Sequence, residues 1–309
     1  MTSTAATTST VEIRQRPLGL FAIIGAILCF SISSTLVKKS GAPGPTIAFW
    51  RMLLASGLWT LILRSTEHRW ISRAELRRAV VPGIAFGLNI TCFFTAITNT
   101  SVANAEFIGA LNPLLLVPAG AIFFHEHLNK GALLFGLVSM GGLALVLFNT
   151  PSNGDATWFG NGFAFLATML WSVYMLTSRA MRSNATGTGM SVVGVMASAM
   201  PVATLTVLPI VLLKGQIDDV TVRSGLYIVL LTLLTGTLAH GLIVFAQRTV
   251  PVGSISIMQV AQPALAVMWS VLLLGRTVRS IQIVGMALVI IGLVLVTLQT
   301  QRRQVQRRV

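Results

Sequence analysis

The 309-residue chain has little charge: only 10% of its residues are Asp, Glu, Lys or Arg. A soluble domain carries about 25%, so this chain lacks the polar surface to hold a fold of its size in water. Acid is the scarcer sign, with 8 Asp and Glu against 22 Lys and Arg. The two cysteines, Cys29 and Cys92, both sit inside apolar runs, which excludes a disulfide framework and a thiolate metal cluster. HExxH, GxSxG and Walker sequences are absent, removing the usual marks of a zinc hydrolase, an acyl hydrolase or a nucleotide-driven machine. Glu106 is the one carboxylate clearly inside an apolar run, so paired-acid chemistry lacks its second member. The chain therefore reads as a non-enzyme, with no catalytic residue, no resident cofactor and no metal. His125, Glu126 and His127 in "FFHEHLNKG" come nearest to a ligand set. Alternate positions on a helix diverge by about 200°, so those two imidazoles cannot chelate on a continuous helix.

What is present is apolar sequence in long runs: 54% of residues are hydrophobic and the mean hydropathy is +0.81. A helix needs about 20 apolar residues to cross the hydrocarbon core. Ten stretches qualify: 18–37, 46–64, 79–99, 102–124, 131–148, 158–178, 190–213, 224–246, 252–274 and 281–299. None alternates, which favours helices over a β-barrel. The polar N-terminus is followed by an apolar run that leads into Lys38 and Lys39 without a cleavage site, so it reads as a retained span, not a signal peptide. Basic residues in the connectors set the orientation. With a cytoplasmic N-terminus, Lys38, Lys39, Lys214, Arg223, Arg276 and Arg279 fall outside, Arg51 falls within the membrane, and the remaining fifteen of the 22 basic residues fall inside. Both termini are thus expected in the cytoplasm. The net charge of +14 is spread over short connectors and gives no nucleic-acid face. In "RSTEHRWISRAELRRAV", Ser72 and Glu75 have capping-box spacing, predicting an early start to the third helix, with Trp70 and Trp158 as interface anchors.

Shifting the chain by 150 residues superposes "SVANAEFIGALNPLLLVPAGAIFF" on "PVGSISIMQVAQPALAVMWSVLLL", with Pro113 on Pro263; Gly142-Leu143 then meets Gly292-Leu293. Each half holds five spans. Five is odd, so the second half enters the membrane from the opposite side. The expected fold class is an all-α integral membrane protein of ten transmembrane helices in two inverted five-helix repeats. The parts are a cytoplasmic segment 1–17, a first repeat 18–148, a second repeat 156–299 and a basic tail 300–309. Inverted repeats of this kind build alternating-access transporters with a midplane site.

Ionisable groups in the membrane cost roughly 2.5–3.5 kcal/mol on insertion scales and so face partners or cavities. Arg51 lies six residues into the second span and Glu106 five into the fourth, so both sit roughly 7 Å below the same boundary. Matched depth predicts a charge pair, either an outer gate and substrate-binding group or a structural ion pair. A third reading lets the arginine snorkel to headgroups. Glu106, Gly109 and Pro113 share a helix face, as do their repeat partners Ser256, Gln259 and Pro263. These two proline-broken faces are the expected lining of a central cavity, with interhelical bonding as the plainer alternative. Asn112 and Gln262 precede the prolines and are expected to point elsewhere around their helices. His240 shares a stripe with Thr237 and Gln247 and has the chemistry of a proton carrier or of a packed, hydrogen-bonded residue. Trp171 and Tyr174 could stack on a ligand or fill the core.

The sequence also resembles the drug/metabolite transporter superfamily, specifically its EamA-type ten-helix members, over about residues 18 to 299. The likeness is carried by "PTIAFWRMLLA" and "ANAEFIGALNPLLLVPAGAIFFHEHL" in the first half. In the second it is carried by "ATMLWSVYMLTSRAM" and "GSISIMQVAQPALAVMWSVLLLGRTVRSIQIVGMALVIIGLVLV". It implies a multi-pass exporter of amino acids or other small metabolites in the plasma membrane, the inner membrane of a bacterium. In the family pattern the fourth helix usually ends Gly-Glu-X-Leu; here His125 replaces that glycine, and Arg276 stands at the corresponding acidic position of the ninth. The expected partners are a small-molecule substrate, the lipid bilayer and protons as the candidate coupling ion, with a monomer or homodimer as the assembly. A passive channel or facilitator using the same cavity is the alternative.

Overall fold

A computed structural model describes residues 18–100, 102–126, 130–148, 157–183, 189–274 and 280–306. The expected segment 1–17, together with His127, Arg276 and Arg279, lies outside them. All regular structure among the described residues is helical, as lipid demands: a chain segment that satisfies its own amides and carbonyls is the form long apolar runs can take there. In chain order the helices are α1 Leu18–Ser40, α2 Gly44–Thr66, α3 Arg73–Asn99, α4 Val102–Ala110, α5 Pro113–Phe124 and α6 Lys130–Phe148, then α7 Trp158–Arg182, α8 Val192–Leu213, α9 Val222–Ala246, α10 Val252–Gln259, α11 Ala261–Leu274 and α12 Ser280–Gln306.

Seven of the helical stretches are long and apolar enough to cross a membrane: α1, α2, α3, the run Ala105–Phe124 through α4 and α5, α7, α8 and α9. Helices α6 and α12 have shorter apolar centres, Leu133–Leu145 and Ile283–Val296. The expected ninth span is interrupted at Val260.

Local chemistry sets the ends. Pro45 occupies the first turn of α2, where a missing N–H costs no hydrogen bond. Gly41 closes α1 with φ +71°. The expected capping box at α3 is present in full: Ser72 Oγ accepts from the Glu75 amide at 3.2 Å, and Glu75 Oε2 accepts from the Ser72 amide at 2.9 Å. Trp70 and Trp158 are both exposed, as anchors would be, and the Arg64 guanidinium lies 5.8 Å from the Trp70 ring centre.

Packing is tightest where α3 lies between α7 and α8, where α2 crosses α8, and where α6 pairs with α12. Exchanging the first span with the sixth, the second with the seventh and so on maps α3·α7 onto α9·α1 and α5·α10 onto α11·α4, and maps α2·α8 and α6·α12 onto themselves. All of these contacts are made, so the packing has the pseudo-two-fold pattern of a duplicated unit. The α3–α8 crossing depends on Gly83 and Gly87, a small-xxx-small pair. A Cβ on Gly83 would stand 2.6 Å from Val202 Cβ, and one on Gly87 would stand 2.7 Å from the Ala203 carbonyl oxygen.

Gly87→Val should therefore destabilise the fold by about 1–3 kcal/mol, the usual cost of overpacking. Gly57→Val on α2, where nothing lies within 4 Å, is the control. Thermal unfolding of the two variants in detergent checks this; equal Tm values would refute the close crossing.

Candidate functional site

Pro113 and Pro263 each lack the N–H that would continue a helix through them. At the first, α4 gives way to α5 through a turn at Leu111 and Asn112, where the amides of Leu111 and Asn112 bond three residues back, to Ile108 and Gly109, at 3.2 and 3.1 Å. At the second, α10 gives way to α11 at Val260, whose amide likewise reaches Ile257 at 3.2 Å. The breaks stand at corresponding positions of the two halves. Between them and the neighbouring helices lies a cavity of about 120 Å³.

Of the residues singled out in the sequence, Arg51, Glu106, Gly109, Asn112, Pro113, Trp171, His240, Ser256, Gln259, Gln262 and Pro263 line it. Tyr174 does not. It is fully buried, stacked on Phe86 at 4.6 Å between ring centres and tilted against Trp171 at 5.4 Å and His240 at 6.2 Å, so it packs behind the lining. Phe30, Phe93 and Phe94 add apolar wall, and Asn89 and Thr235 add polar wall.

Three expectations are corrected. Arg51 and Glu106 share the cavity but form no ion pair, for no guanidinium–carboxylate contact within 4.0 Å joins them. Glu106 instead accepts a short hydrogen bond from Ser34 of α1. Arg51 is 1% exposed, so it does not snorkel; its Nε and Nη1 have no hydrogen-bond partner, and its guanidinium carbon lies 5.5 Å from the Phe94 ring centre. Asn112 and Gln262 do not point elsewhere. The turns ahead of the prolines rotate both into the lining, and Asn112 Oδ1 accepts from Ser172 at 2.7 Å. The stripe through His240 is also shifted. Residues Thr232–Ala239 of α9 form a π-helical turn, whose wider period brings Thr235 into the lining with His240. Gln247 is spent elsewhere, donating to Ser178 Oγ at 2.9 Å and the Met175 carbonyl at 3.1 Å.

His240 is enclosed by the rings of Phe30, Phe86 and Trp171 at 4.7, 4.5 and 5.8 Å. Its Nδ1 lies 2.6 Å from the Thr235 carbonyl oxygen. A carbonyl can only accept, so Nδ1 carries a proton and the neutral ring leaves Nε2 as an acceptor. Nε2 has no partner among the described residues. On the third helix, which the sequence reading passed over, Asn89 donates to the Ala167 carbonyl at 2.7 Å. An amide in the middle of an apolar run was the available signal for it.

Where α5 finishes and α10 begins, the bundle is held by charge. His125 closes α5 in the left-handed region with φ 51°, which explains why the family pattern carries glycine there. That turn directs Glu126 to the start of α10, where Oε1 accepts from the Val252 amide at 3.1 Å and Oε2 from the Gly253 amide at 3.4 Å. Arg179 of α7 stands 3.5 Å from the same carboxylate and donates to the Val250 carbonyl at 3.2 Å. Burial raises the Glu126 carboxyl above its ordinary range, while Arg179 and the two amides draw it part of the way back. One side chain from the first half thus caps a helix and meets an arginine of the second. Among the described residues, no group of three His, Cys, Asp or Glu could hold a metal ion.

The EamA-like transporter family matches the chain twice, over residues 17–148 and 158–298. Among curated proteins, the Pseudopaline exporter CntI of two Pseudomonas aeruginosa strains is 27% identical over 131 residues, covering 41% of this chain and 46% of the relative. The aligned region thus spans about half the length of the curated relatives it matches. A solved structure described only as a crystal structure of a protein superposes with a TM-score of 0.75 over 93% of this chain and 99% of its own, at 20% identity.

Glu126→Ala removes both the helix cap and the ion pair and should destabilise the protein by about 1–3 kcal/mol, as lost hydrogen bonds to a charged group do. Glu126→Gln keeps an acceptor for the α10 amides and should lose less. Unfolding midpoints of the two variants measure the difference, and an unchanged Tm for Glu126→Ala would show that the cap carries no load.

Proposed function

The chain belongs to the EamA-like transporter family, and on that premise we propose that it is a secondary active exporter of small metabolites, such as amino acids or related compounds, in a bacterial inner membrane. It works by alternating access: two inverted five-helix repeats, 18–148 and 156–299, rock about the cavity between their broken helices, with ten spans and both termini in the cytoplasm. The observation that carries this reading is the placement of ten sequence-chosen polar, aromatic and proline residues, drawn from both halves, around one cavity. The pseudo-two-fold contact pattern and the double family match support the repeat. An exporter among the curated relatives supports the direction.

In this reading the captured state is closed on the cytoplasmic side. Glu126 and Arg179 lie at the inner ends of their helices, and they tie the first half to the second there. Opening inward breaks the cap on α10 and the contact with Arg179; both groups then exchange protein partners for water. Protons couple the cycle through Glu106 and His240. Each lies in the cavity wall at membrane depth, and each has one side held by protein, Ser34 for the carboxylate and the Thr235 carbonyl for the imidazole.

Metabolite profiling of the medium from cells overproducing the protein identifies the exported compound. Vesicles holding that compound, with an imposed pH gradient, then test coupling. Uphill movement by the wild type, reduced by at least about tenfold in Glu106→Gln, is expected, the scale on which a positioned proton carrier acts. Flux that only ever runs downhill would replace the exporter with the passive facilitator. Wild-type coupling in both Glu106→Gln and His240→Ala would remove those residues as carriers.

A further inference from the structure

Arg51 is the least compensated group in the described part of the molecule. It is 1% exposed, lines the cavity, and has no hydrogen bond or ion pair to any described residue; Nε and Nη1 are buried without an acceptor. Its favourable neighbour among the described residues is the face of Phe94, and a desolvated cation–π contact is worth about 2 kcal/mol. A buried guanidinium costs several times that unless a negative group meets it. The carboxylate at hand, Glu106, is turned to Ser34 instead. A fold that merely needed a helix contact here would be served by an apolar side chain of the same length. An arginine in this position makes sense when its counter-ion arrives from outside.

We propose that the cavity binds a small carboxylate bearing an apolar body, its carboxylate paired with Arg51; this deepens the transport reading of the same cavity and rests on it. The charge of the ligand follows from the lining. Arg51 is the only Lys or Arg among the lining residues, and Glu106 is there to repel surplus negative charge, so a monoanion fits and a phosphate dianion does not. The planar guanidinium also suits a carboxylate's two oxygens. The body follows from the walls, since Phe30, Phe93, Phe94 and Trp171 surround the polar groups with ring surface. His240 Nε2, an unpartnered acceptor on the same wall, rewards a ligand that also carries an N–H or O–H donor.

The test measures binding, not flux, so it can fail or succeed independently of the transport reading. Protein purified in an uncharged detergent is titrated by calorimetry with benzoate, benzamide and benzylamine, three probes of nearly one shape and different charge. Benzoate should bind at least about tenfold more tightly than the other two, the discrimination expected when a buried charge is otherwise left unpaired. This comparison needs no variant. Arg51→Gln should abolish the preference without lowering the Tm, because an unpaired buried charge contributes nothing to the fold. A phosphatidylglycerol arm separates a free carboxylate from a lipid headgroup as the anion. The proposal stands if benzoate binding persists in nanodiscs containing that lipid. It falls if the lipid alone displaces benzoate, if benzylamine binds as well as benzoate, or if Arg51→Gln binds benzoate like the wild type.

Discussion

The structure depends on one constraint, the demand that backbone hydrogen bonds be satisfied away from water. Lipid offers no partner to a free amide or carbonyl, so every long apolar run here becomes helix. The same demand makes proline at mid-run consequential. Pro113 and Pro263 cannot donate, the preceding turns tighten to three-residue bonds, and the helices restart beyond them. Irregular backbone of this kind is tolerated where it faces protein or a cavity. The breaks and the cavity are therefore two sides of one solution: the breaks need a sheltered, partly polar space, and the space needs Asn112 and Gln262 turned inward. The π-helical turn at Thr232–Ala239 is a third departure from regular helix against the same cavity, and it brings a carbonyl to His240. Such turns recur at functional sites because they re-aim side chains without ending the helix.

Two kinds of contact hold the bundle together. Where α3 meets α8, glycines bring backbones close enough that a single Cβ would collide; that seam resists sliding. Where α5 meets α10, contact is held by a carboxylate at a helix start and by Arg179. Glu126 and Arg179 can regain hydration when that contact opens, whereas an interlocked backbone seam has no such substitute. In the proposed alternating-access cycle, the charged contact is the one that parts and the glycine seam is the pivot.

Much of this was legible in the sequence. The helical, membrane-spanning character follows from composition, and the double family match was foreshadowed by a proline recurring in register, signals that survive without contacts. Which residues line the cavity was legible because ionisable, amide and aromatic groups are rare in such runs and need a reason to be there. What failed was azimuth. Equal depth for Arg51 and Glu106 says nothing about which way each faces around its helix, and Ser34 takes the carboxylate. Helical periodicity misplaced Asn112 and Thr237 because a broken turn and a π turn change the period locally. The role of Glu126 was hidden because its partners start a helix 126 residues later. The sequence reading did not reach Gly83 and Gly87, whose use depends on which helix comes to lie against them.

The two halves share a backbone plan but not its chemistry. At the equivalent face of the broken helices, the first half supplies Glu106 where the second supplies Ser256, and Gly109 where the second supplies Gln259. The one cation of the lining also comes from the first half, while the imidazole comes from the second. A cavity built by duplication alone would present a ligand with two equal orientations and so with two half-used binding modes. Unequal substitution removes that degeneracy: charge lies on one wall, and neutral donors and acceptors lie on the other. A molecule with one charged end then has one favoured orientation, with that end against the helices of the first half. Duplication supplies a scaffold of two matched halves. Divergence of a few positions on the broken helices supplies the direction in which a ligand sits within it.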